Sequence, residues 1–87
     1  MMSDKHEFLK KVEERLQDMQ ASINILKLKL SNAPAEEKPD LAKKLEKTEI
    51  RYLEGVKRLE DLNEVSDLIW DGLQDELEIF WEQLSKE

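Results

Sequence analysis

Residues 41–84 read LAKKLEKTEIRYLEGVKRLEDLNEVSDLIWDGLQDELEIFWEQL. One apolar stripe runs through them: Leu41, Leu45, Thr48, Tyr52, Val56, Leu59, Leu62, Ser66, Ile69, Leu73, Leu77, Phe80 and Leu84. Twelve steps cover 43 residues, a mean of about 3.58, close to the period of an α-helix. Placed at about 100° per residue, the members before Leu62 and those after it fall on the same side of one helix. Gly55 and Gly72 interrupt the run, each at about 1 kcal/mol against Ala, but neither is joined by Pro or a turn cluster. The stripe therefore predicts one continuous helix over about residues 40–86. A turn at Asn63 to Ser66, with a third helix capped by either residue, is the alternative.

N-terminal to this stripe, residues 4–31 carry a second, stricter pattern. Leu9, Val12, Leu16, Met19, Ile23, Leu26 and Leu30 step by alternating threes and fours, a heptad seam over three repeats. Ser3 or Asp4 can cap the start, and Glu7 stands three residues after Asp4 as a capping box requires. Phe8 lies beside the seam, placed to cover one end of it. Residues 32–39 form the clear break. Asn32 suits a left-handed residue that ends a helix, and Pro34 cannot continue one. The second helix restarts either near Pro34 or Ala35, with Pro39 in its first turns, or at Asp40 as N-cap. So short a connection makes the two helices antiparallel neighbours.

The expected fold is thus all-α, one domain over residues 1–87: an antiparallel helical hairpin with a long second helix and coiled-coil or bundle packing. A three-helix bundle is its alternative. Helix one spans about 42 Å and residues 41–84 about 66 Å, so a tight turn leaves about 24 Å of the second helix unpartnered. That overhang holds Ile69, Trp70, Leu73, Leu77, Phe80, Trp81 and Leu84. Such a face predicts self-association, most simply a two-fold dimer. In the three-helix alternative residues 67–86 turn back and bury the same face within one chain. Ile25 and Leu28 project nearly opposite the first seam. They read either as tolerated surface apolars or as a second contact face buried by another chain.

Charge narrows the partners. Of 87 residues, 40% are charged, and the net charge is −7. Residues 1–57 hold 12 Lys/Arg against 11 Asp/Glu, while residues 58–87 hold 2 against 10. An acidic C-terminal third repels phosphate backbones and anionic headgroups, which argues against nucleic acid and membrane surfaces as partners. Cysteine is absent, which excludes disulfides and thiol chemistry. With no long apolar run and a start of Met1-Met2-Ser3-Asp4, a cytoplasmic protein without leader or membrane span is expected.

The last stretch, Ser66 to Leu84, has a further regularity. Trp70 and Trp81 are eleven residues apart, and each is followed three residues later by Leu, at 73 and 84. Eleven residues make three turns at about 3.67 per turn, so both rings leave nearly the same side of a helix. With the aromatic Phe8 near the start, the heptad seam and the charged hairpin region, this resembles a family of small bacterial coiled-coil, stress-response-like proteins. Ile69 and Phe80 stand where that family usually carries Ala before each Trp, and Gly72 also departs from the pattern. The resemblance implies helical hairpins without known catalysis.

Nothing in the chain points to an enzyme, a cofactor or a metal. His6 is the single histidine, near the terminus, and a lone His has no second ligand. Acidic pairs such as Glu13/Glu14, Glu36/Glu37 and Asp75/Glu76 lack the Glu-x-x-His partners of di-iron bundles and read as solvated helix faces. Phosphate loops, nucleophile elbows and dinucleotide fingerprints are missing. Trp70 and Trp81 either fill a bundle core or anchor a partner helix. The expected role is a non-enzymatic structural or protein-interaction module that self-associates through its second helix. A small adaptor or chaperone shielding a partner's amphipathic helix is the alternative.

Overall fold

The heptad seam winds into α1 (Ser3–Asn32), whose apolar residues Leu9, Val12, Leu16, Met19, Ile23 and Leu26 are all buried. The computed structural model describes residues 3–86, with side chains from Lys5 onward; Met1, Met2, Glu87 and the expected cap at Ser3 or Asp4 lie outside the described residues. After a short turn, α2 (Lys38–Asn63) runs back along α1. A third helical stretch follows, made of α3 (Asp67–Trp70), one 3-10 turn (Asp71–Leu73) and α4 (Gln74–Ser85). Every regular element among the described residues is helical, so the chain is all-α.

The first turn differs from expectation in its mechanism. No described residue has a positive φ, so Asn32 does not end α1 in a left-handed conformation. Its side-chain amide instead donates to the Leu28 carbonyl at 3.1 Å, satisfying one of the orphan acceptors of the last turn. Helix α2 starts at Lys38 with Pro39 in its first turn, where a missing N–H costs nothing. Asp40 therefore lies inside the first turn rather than capping it.

The second turn corrects the reading of residues 40–86 as one helix. The backbone tightens at the end of α2, with Glu64 N–H donating to Asp61 and Val65 N–H to Leu62, both at 3.2 Å. Ser66 is then extended, with ψ of 159°, and its hydroxyl accepts from the Ile69 N–H at 3.4 Å as an N-cap. Lys5 of α1 donates its ammonium to the carbonyls of Asn63 and Val65, supplying the positive charge that the last turn of α2 lacks. The molecule measures 53 × 17 × 16 Å, too short for a helix of about 66 Å. The three-helix alternative is the one realised.

Phase continuity misled because three non-helical residues can reset a helix to any rotation. A stripe roughly 100° wide agrees with its predecessor by chance in about one case in three. Burial after the turn follows Trp70, Leu77 and Leu84, a seven-residue repeat, and not Ile69, which is exposed.

Two linked clusters form the core. One holds Leu9, Leu62, Trp70 and Leu77, with Val65 folded in from the turn. The other holds Val12, Leu16, Met19 and Leu84, backed by Tyr52, Val56 and Trp81. Phe8 belongs to both, its ring 5.6 Å from Trp70, 6.4 Å from Phe80 and 6.5 Å from Trp81. The start of α4 thus meets the start of α1 and the end of α2, while its end reaches Leu16. Toward the first turn the core thins: Ile23 and Leu26 are buried, but Leu30, Leu41 and Leu45 are only half-buried.

Candidate interaction surface

Where α1, α2 and α4 meet, the packing depends on a residue with no side chain. A Cβ built on Gly55 would stand 2.7 Å from Leu16 Cδ2 and 3.0 Å from Leu84 Cδ1. Glycine here lets α4 lie close on α2, which outweighs its cost of about 1 kcal/mol in a helix. The sequence shows Gly55 only as an interruption; a helical glycine with a packing reason cannot be told from one without.

The end of α4 is held by two arginines. Arg15 of α1 donates through Nε to the Leu84 carbonyl at 3.1 Å, and through its terminal nitrogen to Ser85 at 3.5 Å. Arg51 of α2 donates to the Gln83 carbonyl at 2.7 Å and also to that of Lys86. Helix α4 has no basic residue in its own last turn, so its exposed carbonyls are satisfied from the hairpin. Lys11 lies 4.1 Å over the Trp81 ring. The salt bridges Lys27–Glu49 and Arg58–Glu76, both at 3.9 Å between exposed groups, add little.

This docking changes the meaning of the residues singled out on α3 and α4. Trp70, Leu77 and Leu84 are buried within the chain, and Leu73, Phe80 and Trp81 are half-buried against the same clusters. The overhang does not exist, and these six pack against the hairpin within the chain. Ile69 is the exception at 59% exposed. Ile25 and Leu28 remain open on α1, at 52% and 65%. Ile50 and Leu53 are open on α2, a pair that the sequence reading passed over because it sits off the stripe.

Two hollows line up beyond the end of α4. The first, of about 220 Å³, lies between α1 and α2, with Met19, Ile25 and Leu26 on its walls. The second, of about 520 Å³, is shallower and runs to the first turn past Leu28, Asn32 and Leu41. Ile25 and Lys29 line both, so together they form one groove continuing the seat of α4. A larger cleft of about 670 Å³ opens between α2 and α4, but charges of both signs line it, Arg51 and Arg58 facing Glu54 and Glu76. Among the described residues no three His, Cys, Asp or Glu side chains gather to hold a metal, and no charged side chain is buried. No described helix is long and apolar enough to cross a membrane.

No family model matches the chain, and neither a curated protein nor a solved structure is similar enough to count as a match.

Proposed function

We propose that the chain is a non-enzymatic protein-interaction module whose α1–α2 groove receives an amphipathic helix of a partner protein. The observation that carries this is the half-filled groove. Helix α4 lays Leu77, Phe80 and Leu84 into its upper part and stops near Leu16, which supports reading the remainder as a further helix seat. Below that point Ile25 and Leu28 stand exposed beside the unfilled part. Helix-in-groove recognition uses apolar anchors at i, i+3, i+4 and i+7, the spacing α4 itself carries. The likeness of the Trp70/Trp81 segment to small bacterial coiled-coil hairpins points the same way, since that family implies architecture without catalysis.

Panning a displayed library of amphipathic helices on the purified chain tests this. Enriched peptides should show a helical apolar period and lose binding to an Ile25→Glu, Leu28→Glu variant. Enriched peptides that bind the variant equally well would rule the groove out.

A second reading is self-association through the second helix, favoured by Ile50 at 49% and Leu53 at 64% exposure on α2. Sedimentation at rising micromolar concentration should then show a dimer that Leu53→Glu dissociates; a monomer throughout would end that reading.

A further inference from the structure

Charge divides this molecule at the second turn. Residues 1–63 hold 13 Lys/Arg against 13 Asp/Glu, whereas residues 64–87 hold 1 against 8. The whole net charge of −7 therefore resides in the segment that docks onto a neutral hairpin. Within the hairpin, charge is again unevenly placed. The hollow immediately beyond α4 is lined by Arg15 and Lys29 of α1, Lys44 and Arg51 of α2, and Lys86, with no carboxylate among its lining residues. Glu37, near the first turn, is the one acid that lines the shallower continuation.

Building on the reading of the groove as a helix seat, we infer that its occupant is an acidic amphipathic helix of another protein, about three to four turns long. Three observations converge on that choice. The first is chemical: Met19, Ile25 and Leu26 on the walls call for an apolar stripe, and Lys29 and Lys44 on the rim, beyond the Arg15 and Arg51 that hold the end of α4, call for carboxylates beside it. The second is the precedent inside the chain. Helix α4 is itself acidic, with Asp75, Glu76, Glu78 and Glu82 around its apolar anchors, and it occupies the adjoining part of the same groove. The third is length. From Leu16 to Asn32 the free part of α1 spans about 24 Å, against about 18 Å for the twelve residues of α4.

A second copy of this chain fits the groove poorly. Two hairpins packed groove to groove would bring one cationic rim against the other, which costs Coulomb energy in a partly dry contact. An α4 donated by another copy would leave that copy's own Leu16, Met19 and Gly55 uncovered, so exchange gains no burial.

The experiment uses the full chain and two designed helical peptides of about fifteen residues. Both carry the same Leu stripe; one has Glu and the other Lys on the flanking positions. By fluorescence anisotropy at low salt, the Glu peptide should bind at least about tenfold tighter than the Lys peptide, since several modest charge pairs act together. A Lys29→Glu, Lys44→Glu variant should reverse that preference, and salt near 1 M, where the Debye length is about 3 Å, should erase it. Circular dichroism of the variant confirms that it still folds, because both lysines are exposed.

Equal binding of the two peptides, abolished by Ile25→Glu with Leu28→Glu, would overturn the charge assignment while leaving the helix seat intact. Binding of neither would overturn both. A parent dimer that Ile25→Glu with Leu28→Glu turns into monomer would overturn the inference in favour of a second copy. Co-sedimentation with anionic vesicles without peptide binding would overturn it in favour of a lipid surface.

Discussion

Replacing Gly55 by leucine should lower the thermal midpoint, although leucine is by far the better helix former. At an exposed helical position the exchange would gain about 1 kcal/mol. Here the first added atom would already stand 2.7 Å from Leu16 Cδ2 and 3.0 Å from Leu84 Cδ1, where ordinary contact begins at 3.4 Å. Leucine adds three further carbons in the same enclosed place. Overpacking of this kind costs about 1–3 kcal/mol, occasionally more, and four carbons between three helices lie at the upper end. The net loss is about 2 kcal/mol, or about 8–16 °C in a chain of this size. Gly72 is the internal control, because a Cβ there meets nothing within 4 Å. Gly72→Ala should raise the midpoint by up to about 1 kcal/mol, about 4–8 °C. Far-UV circular dichroism melts of both variants read the two signs. A Gly55→Leu protein melting at or above the parent would refute the seating of α4 on α2 at this point.

Two more substitutions probe the third helical stretch. Trp70→Ala removes a side chain that is 2% exposed. It should cost about 3–5 kcal/mol, a large part of the roughly 4–13 kcal/mol available to 87 residues, whereas half-buried Trp81→Ala should cost less. Urea midpoints in the reverse order would place the two rings wrongly. Ser66→Ala removes the N-cap of α3 and should lower the midpoint by about 4–8 °C, from about 1 kcal/mol, with Ser66→Asp restoring it. An unchanged Ser66→Ala melt would mean that Lys5 and the burial of Val65 hold the turn by themselves.

The cations that close this fold share one device. Lys5 reaches the carbonyls at the end of α2, and Arg15 and Arg51 reach those at the end of α4. Each joins a helix end, which carries partial negative charge, to a neighbouring helix. The neutral hairpin therefore binds its acidic third helix through dipoles and carbonyls as much as through ion pairs. Between α4 and the rest of the molecule the single salt bridge among the described residues is the exposed Arg58–Glu76 pair.

Local spacing determined the helical class, α1 and its buried seam, and the antiparallel α2. These are consequences of periodicity, which acts between residues three and four apart. Where the third helical stretch goes is a different kind of fact. The stripe of residues 41–84 is compatible with one long helix or with two, so only tertiary packing separates them. The decision falls to long-range partners: Lys5 against Asn63 and Val65, Phe8 against Trp70, Leu16 and Leu84 over Gly55. That choice moved Trp70, Leu77 and Leu84 from an expected outer face into the core. It left Ile25 and Leu28 open beside the unfilled groove, because a twelve-residue α4 covers only part of a groove formed by helices of 30 and 26 residues.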